Sequence, residues 1–352
     1  MTREALIQGK NQIAILENGV LVNYYQHSDS CSYGDIYWGR VVKCASGNSD
    51  ACFVDIGLSE NAFCPDKDKM KQDDFGPFMV ETSAHDNKAV RVSNKIKITG
   101  KYMVSLSQKG VINISSKIID TESRNRIRSL GEAVLDKFTH LEGLLFRTEA
   151  SEANEEVLVA AARELNSLLG TINQGKPSPG LMYRPDFVIS TLSKYNKYDN
   201  IVTDDVEIYE KIKGLYPEVR FRQAKEYDLF DVKDISSKLV SLTGKRVWLP
   251  SGGNIVIETT EAMTVIDVNS GKATGNKASK DAVNKEAITE IMRQLRLRNI
   301  GGIIICDLIS SHKEAEEEIL KLSKELSQND PGKPVIHGFT HLGLLEISRK
   351  RT

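Results

Sequence analysis

Asp267 and Asn269 lie two residues apart in the segment 262–274, AMTVIDVNSGKAT, and strand alternation puts both side chains on one sheet face. Met263, Val265 and Ile266 beside them ask for burial, so a carboxylate and an amide in that run need a chemical reason. Further along, GGIIICDLI (301–309) reads as a fully apolar strand that reaches Asp307, and the amphipathic segment 280–299 between the two strands reads as a helix. Strand, helix, strand predicts parallel pairing through a right-handed crossover. Asp267 and Asp307 then meet near the carboxyl ends of adjacent strands, the edge where open α/β sheets bind ligands. Two carboxylates there repel unless a cation lies between them, and hard oxygen donors suit Mg²⁺. Asn269 would orient a water or a phosphate oxygen beside the ion. A purely structural account also stands, with Asp267 capping the next turn and Asp307 ending its strand; the local residues leave both open.

The elements that must position this group are legible along the chain. The last hundred residues run strand, strand, helix, strand, helix, strand, closing with the helix 312–330, a stop at Pro331-Gly332 and the strand 333–339. At the other end, 3–26 reads as an antiparallel meander broken at 9–11 and 17–19. Short β segments over 34–65 and 88–107, with Tyr37, Trp38, Phe53 and Phe63, suggest a small OB-type barrel that binds single-stranded nucleic acid. Core packing is the alternative for those aromatics and the preferred one for Phe53. Helices are expected near 121–138 and 151–172, around a strand at 143–148, before a Gly/Pro-rich boundary at 174–180.

Composition narrows the classes. The chain has 352 residues, 40% of them hydrophobic and 27% charged, which fits two or three globular domains. Neither a secretory leader nor an apolar run of about 18 residues is visible, so no membrane partner and a cytoplasmic location are expected. The five cysteines (31, 44, 52, 64 and 306) form no C-x-x-C pair and read as reduced thiols. A net charge of -1 hides a basic stretch: ten Lys/Arg against Asp120 and Glu122 over 88–128, a local +8, which suits a polyanion or a solvated strand face. Gly170, Gly175 and Lys176 have phosphate-loop spacing, but Pro177 replaces the hydroxyl that such a loop needs. His337 and His341 fall in a strand context that argues against a zinc pair. Arg293, Arg296 and Arg298 would complement the dipole of the crossover helix, with substrate contact as the second reading.

These residues resemble the ribonuclease E/G endoribonucleases. The likeness is carried by LPSGGNIVIETTEAMTVIDVNSGKAT, RQLRLRNIGGIIICDLI and HLGLLEISRKR, with GDIYWGRVV, CFVDIGLSENAFCP and GLLFRT upstream in the family's order. The resemblance implies an α+β, multidomain fold. An RNase-H-like domain would comprise 1–31 and 184–244, with an OB-fold RNA-binding barrel inserted at 32–103. A 5′-sensor-like region at 104–183 and a deoxyribonuclease-I-like α/β catalytic domain at 245–352 would complete it. Asp267 and Asp307 would bind the catalytic Mg²⁺, with Asn269 as the third catalytic residue, in hydrolysis of single-stranded RNA that leaves a 5′-phosphate and a 3′-hydroxyl. Phe63 and Lys88 would contact RNA in the barrel, and Arg147 with Thr148 would grip a 5′-phosphate.

The departures from the family pattern carry their own expectations. The C-P-x-C segment that links family protomers through zinc is missing before Thr352, so no zinc-linked dimer is expected, leaving a monomer or a non-zinc homodimer. Ser310 replaces a second acid after Asp307, and Asn113-Ile114-Ser115 replaces a Gly-led sensor loop. Glu149 puts a carboxylate next to the Arg-Thr pair, which works against anion binding there. The link from Asn269 to the crossover helix is short, with loss of substrate contacts expected. A noncatalytic RNA-binding protein of the same descent is the alternative function, and a deoxyribonuclease a more distant one.

Overall fold

The computed structural model describes residues 1–44, 51–66, 70–82, 89–223, 227–271, 277–309 and 312–352, with backbone alone at 277–279. The chain divides into two compact units, Met1–Gln26 with Lys197–Thr352, and His27–Asn196.

In the first unit, Arg3–Gln8, Gln12–Glu17 and Val20–Gln26 form the expected meander, its second hairpin turning at Asn18 and Gly19, both at positive φ. Asn200–Thr203 pairs in parallel with Arg3–Gln8, and Val219–Phe221 pairs in parallel with Asn200–Thr203. Four successive buried residues, Ile13 to Leu16, show that both faces of this five-stranded sheet are covered. One face packs Leu6, Ala14, Leu16 and Leu21 against Leu229, Phe230, Ile235 and Leu297.

A second sheet of six strands runs in the order Arg246–Trp248, Asn254–Thr259, Met263–Asn269, Gly302–Asp307, Leu344–Arg349, Val335–Phe339. Its one parallel pairing joins Met263–Asn269 to Gly302–Asp307 through the helix Lys277–Leu297, as the strand-helix-strand pattern implies. Ala287, Ile288, Ile291 and Leu295 from that helix, with Ile319 from the helix Lys313–Ser327, cover one face through Ile257, Ile266, Val268, Ile304 and Cys306. Along Met263–Asn269 burial alternates at every residue, so the opposite face is open. The strand Leu344–Arg349 is not among the elements the sequence pattern marks. It pairs antiparallel with both Gly302–Asp307 and Val335–Phe339, moving the latter to the edge. Glu346, Ser348 and Arg349 dilute its apolar signal, and Arg349 is buried because Asp330, also 0% exposed, takes both ends of its guanidinium at 2.7 and 2.9 Å.

The two sheets of this unit are joined through one carboxylate. Glu17 accepts from Arg296 at 3.0 and 3.1 Å and from Arg3 at 3.0 Å, while Asn23 accepts from Arg296 Nε at 2.9 Å. One helical turn earlier, Arg293 donates to the Leu21 carbonyl at 3.0 Å. Arg293 and Arg296 therefore fasten the crossover helix to the N-terminal meander, rather than neutralising the helix dipole or meeting substrate. Arg298, the third of the group, donates to Gln294 at 2.6 Å.

In the second unit, Ile36–Cys44, Cys52–Asp55, Ala62–Cys64, Arg91–Ser93 and Phe75–Thr82 form a ring closed by pairing of the first with the last, with Gly180–Tyr183 added outside Ile36–Cys44. This closed five-stranded barrel is consistent with an OB fold. Beside it, Met103–Leu106, Gly143–Phe146 and Ile112–Ile114 make a small sheet. Two helices pack on that sheet, Thr121–Lys137 capped by Asp120 and Glu155–Gln174 capped by Asn154. Ile127, Leu130 and Val134 from the first helix, and Leu158, Ala162, Leu165 and Leu169 from the second, meet Leu144 and Phe146 in one core.

Removing one partner of a buried ionic network leaves the others uncompensated, so Glu17→Ala is expected to cost about 3–5 kcal/mol in urea unfolding of the intact chain. Burial alone would push the Glu17 carboxyl up, but Arg296 and then Arg3 more than offset it and hold it below the usual carboxylate range. A depressed folded pKa gives stabilisation that is complete above the unfolded value and is lost as pH falls through the folded one. The stability gap between wild type and Glu17→Gln should accordingly be widest near neutrality and narrow in acid.

Candidate active site

The parallel register sets Asp267 directly opposite Asp307. Both are on the open face, since Ile266, Val268 and Cys306 point into the helix-covered core. Neighbouring strands lie about 4.8 Å apart, so the two carboxylates share one patch at the carboxyl end of the parallel pair. Asn269, two residues on and on the same face, donates through Nδ2 to Asp267 Oδ2 at 2.6 Å. The three residues singled out from strand spacing thus come together, and Asn269 orients a carboxylate while keeping its own oxygen for a further partner.

Two local features hold this edge. A Cβ on Gly253 would lie 2.9 Å from the Asn269 carbonyl oxygen, and one on Gly271, at φ +56°, 2.2 Å from that of Gly252. Glycine alone lets the turn after Leu249 close against the end of the Asn269 strand. Behind Asp307, the buried side chain of Asn284 donates to the Ile309 carbonyl at 2.8 Å and accepts from the Ile309 amide at 3.0 Å. Asn284 is a positioning residue that strand spacing does not reveal. Its one signal is a polar residue on the inward stripe of an amphipathic helix, between Val283 and Ala287.

Two exposed carboxylates side by side, with an amide hydrogen-bonded to one of them and open solvent around, fit a hard divalent ion that keeps several waters. Among the described residues no group of three or more His, Cys, Asp or Glu side chains could hold a metal. His337 lies in the strand Val335–Phe339 and bonds Ser348 Oγ at 2.8 Å. Ser310 and most of the short link after Gly271 lie outside the described residues.

On the barrel, Phe63 and Phe53 are cross-strand partners with ring centroids 5.8 Å apart. Phe53 is 44% exposed, not in the core as expected for it. Alternation in Cys52–Asp55 decides this, because Cys52 and Val54 take the inward positions. Lys43 and Arg91 are in register with Phe53 and Phe63 and are exposed, so cations flank the aromatic pair. Arg91 also pairs with Glu81, Lys95 with Asp66, and Arg124 and Arg126 donate to backbone carbonyls, which absorbs part of the basic stretch. Lys88 lies outside the described residues.

Arg147 and Thr148 follow the strand Gly143–Phe146. Thr148 Oγ1 is 3.1 Å from Ser115 Oγ, so two hydroxyls converge. The Arg147 fork donates to the carbonyls of Gly100 and Ser193 at 3.0 and 2.7 Å, and its Nε is 3.7 Å from Glu149.

An OB-like barrel with an aromatic outer pair in one compact unit, and a sheet edge bearing two opposed carboxylates in the other, define a mixed α/β protein. Residues 97–352 match the Ribonuclease E/G family, and the chain belongs to that family. It is 32% identical to a ribonuclease E of Synechocystis sp., aligned over 100% of this chain and 57% of that protein. A ribonuclease G of Haemophilus influenzae is 29% identical, over 97% of this chain and 78% of its own length. For a ribonuclease G of Escherichia coli the figures are 27%, 100% and 80%. The chain thus spans little more than half of the Synechocystis protein. Among the described residues no helix is long and apolar enough to cross a membrane.

Asn284→Ala removes both bonds to Ile309, and the expected result is a loss of about 1–3 kcal/mol in urea unfolding. Hydrogen exchange should register it locally, as faster exchange at the Ile309 amide with little change in the barrel.

Proposed function

We propose that the chain is a Mg²⁺-dependent endoribonuclease that hydrolyses single-stranded RNA, leaving 5′-phosphate and 3′-hydroxyl ends. The observation that carries this reading is the facing pair Asp267 and Asp307 with Asn269 bonded to the first. Asp267 and Asp307 would hold the ion, which when bound supplies Lewis-acid polarisation of the phosphate and a more acidic water. Asn269 fixes the orientation of the Asp267 carboxylate and offers its free oxygen to a water or its second N–H to a phosphate oxygen. Gly253 and Asn284 keep both strand ends in place, so the carboxylates need little reorganisation when substrate arrives.

In domain terms, the order of the five-stranded sheet, three antiparallel strands and two parallel ones, supports an RNase-H-like assignment for 1–31 with 184–244. The six-stranded sheet with helices on one face supports a deoxyribonuclease-I-like assignment for 245–352. The barrel at 32–103 is the RNA-binding part, with Phe63 and, beside it, Phe53 as stacking surfaces and Lys88 as a phosphate contact. Region 104–183 would sense a 5′-phosphate through Thr148 and Ser115. Arg147 takes part once it exchanges a carbonyl for the phosphate.

The test is cleavage of a labelled, A/U-rich single-stranded RNA with Mg²⁺ or with EDTA. Cutting is expected with Mg²⁺ in the wild type and in neither condition for Asp267→Asn or Asp307→Asn, while gel-shift affinity in the two variants stays near wild type. Tight binding without cutting by the wild-type chain would replace this reading with a noncatalytic RNA-binding protein. Phe63→Ala should weaken RNA binding by about 1–3 kcal/mol with kcat little changed.

A further inference from the structure

The row of paired residues that contains the acids continues across the sheet. Arg246 is in register with Val256, which is opposite Asp267; Trp248 is in register with Asn254, which is opposite Asn269. Cross-strand partners point to one side, so Arg246 and Trp248 share the open face with the two carboxylates. The inward neighbours agree, since Val247 and Leu249 pack into the core beneath the sheet. Two strand spacings separate Trp248 from Asn269, about 10 Å, within reach of a nucleotide next to the one being cut. The indole is 66% exposed, and the Arg246 guanidinium lies 5.8 Å from its centroid. A large aromatic ring presented to solvent, backed on one side by a cation and set beside an acidic cutting edge, has the chemistry of a base-stacking surface.

We infer that Trp248, backed by Arg246, is a specificity-determining platform on which the base adjoining the scissile phosphate stacks. This rests on Asp267 and Asp307 being the cleavage site. The indole face takes any base and prefers purines for their larger ring, while Arg246 remains free to pair with the phosphate of the stacked nucleotide. Substrate choice near the cut would then be set in part on this sheet, separately from the barrel aromatics.

The experiment compares wild type, Trp248→Ala and Trp248→Phe on a short single-stranded RNA and on versions of it with one abasic site at each position around the cut. Trp248→Ala should lower kcat/KM on the intact RNA by roughly 5- to 150-fold, the range equivalent to the usual stacking energy per base. Trp248→Phe should recover most of that loss. One abasic position next to the cut should cost the wild type a similar factor and cost Trp248→Ala almost nothing further, a coupling that a merely structural residue would not show. A second arm needs no cleavage. In the Asp307→Asn background, RNA should quench indole fluorescence, and adding Trp248→Phe should remove most of the RNA-dependent part, leaving only what Trp38 in the barrel contributes. Equal abasic penalties in wild type and Trp248→Ala, or quenching that survives Trp248→Phe unchanged, would overturn the platform. Failure of the nuclease reading would look different, as no Mg²⁺-dependent cutting by the wild type on any of the RNAs.

Discussion

The register between Met263–Asn269 and Gly302–Asp307 is the constraint on which the acidic edge depends. Side chains alternate with a period of two, so a slip of one residue would turn Asp307 inward and Cys306 outward. What prevents the slip is the apolar half of the same strands: Ile266, Val268, Ile304 and Cys306 fit only against the inward stripe of the crossover helix. Cys306, whose thiol is pushed up to about 12 by complete burial, is packing material one residue from a carboxylate in open solvent. The polar chemistry of one face is therefore held in place by the hydrophobic chemistry of the other.

The crossover helix is itself located by charge. Hydrophobic contact with Leu16, Leu21 and Leu297 would hold the helix near the N-terminal meander, but such contact is non-directional. Glu17 shared between Arg3 and Arg296, with Asn23 and the Leu21 carbonyl taking the remaining donors, admits one rotation and one axial position. A buried ionic network of this kind contributes more to uniqueness than to net stability. Arg349 and Asp330 act alike at the far side of the second sheet, where Arg349 also donates to the Ile300 carbonyl at the entry to the Asp307 strand.

Much of this was visible in the chain, and the remainder was hidden for identifiable reasons. Asp267, Asn269 and Asp307 were readable because alternation and strand ends are local properties, and the meander was readable from its Gly and Asn punctuation. The strand Leu344–Arg349 was not, because its inward Arg349 finds a buried partner in Asp330, which lies beyond any strand window. Arg296 looked like a helix-end charge because its carboxylate is 279 positions away. Phe53, expected in the core, faces outward because Cys52 and Val54 already fill the inner positions of its strand. Asn284 could have been noticed as a polar interruption, although its target, the Ile309 backbone, carries no side-chain signal at all.

The dependence of the acid pair on distant partners has a consequence for synthesis. The N-terminal meander leaves the ribosome early and can form from local contacts, whereas the parallel pair must wait for the crossover helix and for Gly302–Asp307. Arg296 reaches Glu17 only at that late stage. The acidic edge is thus assembled only after the meander that anchors its helix, and long-range topology sets that order.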